Sequence, residues 1–166
     1  MNGLKYAGFA LGGSIAMFVA GWWGYELMLL ALLGGIDGLS PNPVADSLEQ
    51  MILHRLSVAA SFSLLGLVLA LGTIHWRRSK RRTQWPRRIA FALSVSILGS
   101  GCWMLFMRFK LSRIAAHAPE GIATFSLGLS GLHLYEVGLF ASFLVLLYIA
   151  YCALIEERTR NAQGCD

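Results

Sequence analysis

Five ionisable side chains, Glu26, His54, Arg55, His133 and Glu136, fall inside stretches otherwise built almost wholly of apolar and small residues. Ionisable groups in hydrocarbon are costly, so each marks a functional position unless it pairs with another. Depth follows from the helical rise of about 1.5 Å per residue. His54 sits about one turn inside the start of its apolar stretch, and His133 lies at a similar depth in another. Glu136 is one turn deeper, and Glu26 lies toward the same side at the end of a third stretch. Arg55 joins them, so the whole set shares one leaflet. His75 lies on the opposite side, without such neighbours.

Three chemistries fit this set. Two imidazoles at equal depth can hold a haem b as axial ligands, with Arg55 meeting a propionate. Gly131, Gly138, Ser57 and Ser61 would leave room for the macrocycle, and burial would tune its potential. Alternatively, His133-x-x-Glu136 places two ligands on one helical face, in the reverse order of the Glu-x-x-His of bundle di-metal sites. With His54 and Glu26 this gives a site of two His and two carboxylates for iron, copper or zinc. The third possibility needs no cofactor. Arg55 pairs with Glu26 or Glu136, and both His residues hydrogen-bond to loops at the interface.

Other chemistries are excluded more directly. Cys102 and Cys152 fall inside helices and Cys165 in the C-terminal tail, with no CxxC. Disulfide-generating membrane oxidoreductases need Cys pairs exposed on the outer side, so the two helix thiols read as small packing residues. No nucleophilic Ser motif, phosphate loop or HExxH occurs.

Leu53-His54-Arg55-Leu56 at one helix start and Gly131-Leu132-His133 at another resemble the small four-helix b-type membrane cytochromes of the b561 kind. Asn42-Pro43-Val44 is similar to a turn in ferric-reductase-type haem subunits. Both matches are short. The resemblance implies a membrane electron-transfer subunit with one haem b near the outer face, His54 and His133 being its axial ligands. Those families usually carry further helix histidines, whereas the third helix here offers Cys102 and Trp103. The reading from a different class is a cofactor-free accessory or assembly subunit of a larger membrane complex.

The elements that must position these residues follow from composition. Of the 166 residues, 14% are charged and 56% hydrophobic, against roughly 25% charged in a soluble domain. The mean hydropathy is +0.59. These values exclude disorder, collagen-like repeats and a conventional soluble enzyme. Spanning helices need about 20 apolar residues, and the sequence predicts four, over 6–33, 51–74, 89–107 and 132–155. They are apolar all round, without the polar face of a soluble bundle. The expected fold is therefore all-α, a single domain forming a four-transmembrane-helix bundle in contact with the lipid bilayer. The first stretch is too long for a signal peptide and reads as a retained helix.

Arg77, Arg78, Lys80, Arg81, Arg82, Arg87 and Arg88 crowd the link between the second and third stretches. The positive-inside rule places that link and both termini in the cytoplasm, with Arg108, Lys110 and Arg113 as a smaller opposing group. Topology and anionic lipid account for this cluster and for the net charge of +5, so no nucleic-acid partner is expected. The expected home is a bacterial inner (cytoplasmic) membrane.

Gly34, Gly35, Gly38, Pro41, Asn42 and Pro43 break the chain after the first helix. Asp46 or Ser47 is the expected N-cap of the second, with Glu49 in its first turn. Leu111, Ile114 and Ala115 against Lys110, Arg113 and His117 predict a short outer interfacial helix over 109–118. Pro119 and Gly121 end it, and 124–130 is the expected lid. Trp22, Trp23, Tyr25 and Tyr135 fit an interfacial belt. Gly8, Gly12, Ala16, Ala20 and Gly24 recur at spacing four, as do Ala92, Ser96 and Ser100, and Gly138 and Ser142. Ser57, Ser61 and Gly66 mark the second helix. Such small residues let helix backbones approach, either within the bundle or against a partner membrane subunit or a second copy.

Overall fold

The computed structural model describes residues 2–34, 48–79, 81–116 and 133–163. They form α1 (Asn2–Leu33), α2 (Leu48–Arg78), a 3-10 turn (Arg82–Gln84), α3 (Trp85–Ala116) and α4 (Tyr135–Gln163), with no strand among the described residues. All four helices are long and apolar enough to cross a membrane. The chain is thus an all-α, multi-pass membrane protein whose helices contact lipid.

Each helix has 29 to 32 residues, which is roughly 44–48 Å of rise. A hydrocarbon core is about 30 Å thick, so the helix ends reach into the headgroup layers. This explains one departure from expectation. The segment expected as a separate interfacial helix is, up to Ala116, the unbroken end of α3. Lys110 and Arg113 meet the polar layer there without a break in the backbone. The expected N-caps Asp46 and Ser47, residues 35–43, His117, residues 124–130, Gly131 and Cys165 lie outside the described residues.

Local chemistry fixes the helix ends. Glu49 lies in the first turn of α2 and His75, Arg77 and Arg78 in its last, each sign complementing the helix dipole. Pro86 is in the first turn of α3, where its missing N–H costs no helical hydrogen bond. Between them the chain reverses tightly. Ser79 N–H donates to the His75 carbonyl at 3.1 Å, Arg81 N–H to Ser79 Oγ at 3.2 Å, and Gln84 N–H to the Arg81 carbonyl at 2.9 Å.

Contacts along the helices give their directions. A Cβ on Gly13 would meet Ala70, and one on Gly21 would meet Ala59 and Phe62, so α1 and α2 are antiparallel. Gly72 faces Ile149, and Ser79 bonds Glu156, so α2 and α4 are parallel. Phe91 packs on Tyr148 and Trp103 on Phe140, each at 4.9 Å between ring centroids, making α3 and α4 antiparallel. Both described termini therefore share the end that carries the basic turn between α2 and α3, hereafter the basic end. In cross-section α2 and α4 are central. α1 packs chiefly on α2, α3 chiefly on α4, and α1 does not reach α4.

Two apolar cores result. Near the opposite end Tyr25, Leu32 and Leu33 of α1, Val58 of α2 and Leu111 of α3 gather with Leu134 just before α4. Toward the basic end the buried core is Leu65, Val68, Trp76, Ala92, Ala141 and Val145, from α2, α3 and α4 alone. α1 contributes only the partly buried Met17 there. Tyr25, expected in the interfacial belt, is instead 3% exposed in the core, whereas Trp23 is exposed as expected.

The small-residue seams divide into two kinds. Ala92, Ser96, Ser61, Gly66, Gly138 and Ser142 are buried between helices of this chain. On α1 the face that meets α2 carries Ala10, Gly13, Met17 and Gly21, not the run of five at spacing four. Gly8, Gly12, Ala16 and Ala20 of that run are exposed, and a Cβ on Gly8, Gly12 or Gly24 would meet nothing within 4 Å.

Candidate functional site

The polar residues singled out from sequence lie at the opposite end from the basic turn, and most are occupied in holding helices. Arg55 on α2 is ion-paired with Glu26 on α1. Its guanidinium carbon also lies 5.6 Å from the Tyr25 ring centroid, a cation–π contact that strengthens as water is excluded. The antiparallel register brings the pair together, since Gly21 opposite Ala59 and Phe62 leaves Glu26 opposite Arg55 about one turn further on. Arg55 is thus a clasp between α1 and α2.

His133 and Glu136 differ from expectation. α4 begins at Tyr135, so His133 precedes the helix and the pair does not share a helical face. His133 is exposed, its ring edge-on to Tyr135 at 5.6 Å. Its carbonyl accepts the Glu136 N–H at 2.9 Å, and the Leu134 carbonyl accepts the Val137 N–H at 3.1 Å. Glu136 occupies the first turn of α4, where a carboxylate is favoured by the helix dipole. His54 is half-buried on α2, one turn before the core residue Val58. Among the described residues no three His, Cys, Asp or Glu side chains gather so as to hold a metal ion. The set Glu26, His54, His133 and Glu136 is accordingly not assembled into such a group.

The space expected for a macrocycle at Gly138 and Ser61 is filled. A Cβ on Gly138 would collide with Ser61 Oγ, and would lie 3.0 Å from both Phe62 and the Ser61 backbone. Glycine here lets α2 and α4 touch, so the residues at this level do not fit a porphyrin between the two helices. A shallow cleft of about 280 Å³ beside the contact is lined by Ser57, Ala60, Ser61, Leu64, Tyr135 and Leu139.

Arg108 supplies a further anchor at this end. It donates to the carbonyls of Ala31 at 2.8 Å and Gly34 at 2.7 Å, satisfying acceptors that a helix end leaves open. This is a local reason for a cation on the less basic side. The residue was visible in the sequence only as a charge opposing the topology rule, because its partners are backbone atoms.

The basic end holds a second cluster that sequence reasoning missed. Glu156 on α4 accepts from Ser79 Oγ at 2.7 Å and pairs with Arg88 on α3. The Arg88 and Glu156 side chains are only 11% and 17% exposed. Three helix ends are thereby tied at one carboxylate. Beneath it Trp76, 1% exposed, lies edge-on to Tyr148 with centroids 5.8 Å apart. The available signal was Glu156 itself, an acid beside a strongly basic link. Cys152 is buried, in keeping with a packing role, but Cys102 is exposed.

The chain matches no known protein family, no curated protein and no solved structure.

Proposed function

We propose that this chain is a cofactor-free accessory subunit of a larger membrane complex, bound laterally through the outward face of α1. The proposed setting is a bacterial inner membrane with the basic end in the cytoplasm, as the positive-inside rule gives. One observation carries the reading. The other clustered small-residue seams are largely consumed inside the bundle, whereas Gly8, Gly12, Ala16 and Ala20 face outward. From Gly8 to Ala20 the face bears no charge, so its occupant is an apolar transmembrane helix of a partner subunit, drawn close by the missing side chains. The ionisable residues near the opposite end support the same reading through their structural work, Arg55 with Glu26 and Glu136 at a helix start.

The test is co-purification of tagged full-length protein with its complex from native membranes in mild detergent. Gly12→Leu and Ala16→Leu should release the partner while the helical content of the chain stays unchanged. Association that survives both substitutions overturns the reading, and a complex containing only this chain replaces the partner subunit by a second copy.

A haem b held by His54 and His133 is the second reading. Its support is that His54 stands one turn before Val58 while His133 adjoins Leu134, and Val58 and Leu134 belong to one core. The group would lie beyond the Ser61–Gly138 contact, toward the helix ends, with Arg55 in reach only by leaving Glu26. Soret and alpha bands in protein made with ample haem, lost in His54→Ala or His133→Ala, would establish it in place of the first reading.

A further inference from the structure

Cations outnumber acids at the basic end, beside the first turns of α1. Because α1 adds only Met17 to the core there, a groove of about 370 Å³ opens between its first turns and the end of α2. Lys5, Arg77, Arg78 and Arg82 line it, and no carboxylate does among the described residues. The nearby acid cannot neutralise them, since Glu156 is engaged by Arg88 and Ser79. Two of these cations are instead placed by aromatic rings. The Arg78 guanidinium carbon lies 4.1 Å from the Tyr6 ring centroid, and that of Arg77 5.5 Å from the Trp85 ring. A guanidinium stacked on a ring keeps its in-plane N–H groups for oxygen acceptors, and the forked geometry matches phosphate.

The lower wall is apolar. Phe9 and Ile74 line the groove below the cations, and Phe9 is exposed on α1. A free anion would make no use of that wall, whereas a lipid places its phosphate at the helix ends and its chains along such a surface. We propose that this groove is a binding site for one anionic phospholipid, its phosphate held by Arg77, Arg78, Arg82 and Lys5 and its acyl chain lying over Phe9 and Ile74. The site would fix the N-terminal turns of α1, the part of the bundle that the protein core leaves unsupported. The groove lies at the N-terminal end of the small-residue side of α1. Lipid retention by the isolated chain is read without any partner, so failure of one proposal is distinguishable from failure of the other.

The test is native mass spectrometry of the intact, full-length protein in neutral detergent, with phosphatidylglycerol, phosphatidylcholine or inorganic phosphate added separately. Phosphatidylglycerol should be retained at one molecule per chain and phosphatidylcholine should not. Inorganic phosphate at millimolar concentration should fail to displace the lipid. Arg78→Gln and Arg82→Gln should each weaken retention about fivefold, the scale of one surface cation facing anionic lipid. Arg78→Lys should lie between wild type and Arg78→Gln. Arg87→Gln removes the same charge outside the groove and should leave retention unchanged. Equal weakening by Arg87→Gln, equal retention of phosphatidylcholine, or displacement by inorganic phosphate would each overturn the proposal. If Arg78→Gln lowers helical content, Arg82→Gln decides, because Arg82 is exposed in the 3-10 turn.

Discussion

Substituting alanine for glycine at three positions should give three different outcomes, ordered by what stands opposite each one. At Gly66 the added Cβ would collide with the Gly13 carbonyl oxygen and lie 2.8 Å from both Cβ and Cγ of Met17. Carbon atoms rest at about 3.5–4.0 Å, so the neighbours must retreat by roughly 0.7–1.2 Å. Met17 can turn aside, but the Gly13 carbonyl is helix backbone. Relief therefore requires α1 itself to move away from α2, opening the contacts at Gly21 and Ala70 as well. Overpacking of this kind costs about 1–3 kcal/mol. Alanine's better helix propensity returns at most about 1 kcal/mol. Gly66→Ala should thus destabilise the chain by up to about 2 kcal/mol.

At Gly13 the new Cβ would stand 3.2 Å from the Ala70 Cβ and 3.3 Å from the Gly66 oxygen, a displacement of a few tenths of an ångström. Here overpacking and helix propensity nearly cancel. At Gly12 nothing lies within 4 Å, so Gly12→Ala keeps the propensity gain and should stabilise by up to about 1 kcal/mol. The assay is thermal loss of far-ultraviolet helical signal in one detergent at matched protein concentration. The expected order of stability is Gly12→Ala, then Gly13→Ala, then Gly66→Ala. Equal losses at positions 12 and 66, or the inverse order, would refute the assignment of which α1 face meets α2.

The two ion pairs should differ in worth. Glu26 is 70% exposed at its side chain, so Glu26→Gln should cost less than about 1 kcal/mol, read by the same thermal assay. Glu156→Gln strips the counter-charge from an enclosed Arg88 and should cost about 2 kcal/mol, below the loss for a fully buried pair. A double-mutant cycle with Arg88→Gln should show coupling between the two sites. Arg108→Gln removes two charge-assisted hydrogen bonds from the end of α1 and should cost about 1–3 kcal/mol. Amide exchange should quicken most at Gly34, whose N–H donates to the Leu30 carbonyl at 2.8 Å.

The spans were legible because hydropathy depends on residue type alone, and four long apolar runs admit one fold class. Rotation of each helix about its axis was not. In a soluble helix the polar face discloses the buried one, but α1 is apolar all round. The regular run from Gly8 to Gly24 therefore outweighed the less regular set Ala10, Gly13, Met17 and Gly21 that meets α2. Glu26 with Arg55 was legible as one of two pairings, since opposite charges at matching depth in neighbouring helices have few other partners. His133 was misplaced by the few residues that separate an apolar run from the first helical hydrogen bond. Glycine at 138 has the same ambiguity as glycine on α1. An absent side chain leaves space only if no neighbour moves in, and Ser61 and Phe62 have done so.

What remains unspent by the fold is concentrated on one helix. α2 and α4 close on each other at Ser61 and Gly138, and α3 joins them around Trp76 and the Ser79–Glu156–Arg88 cluster. α1 is held along one side by α2 and at its far end by Arg108, which leaves an outward face of small residues and an uncompensated basic groove at its start. A helix attached on one side gains more from outside contacts than one enclosed on all sides, because each added contact orders surface that the chain itself leaves bare. The proposed partner helix and the proposed lipid both act on that helix, one along its outer face and one at its N-terminal turns. Their effects should therefore reinforce each other, with lipid in the groove steadying the end of the same seam that the partner helix grips.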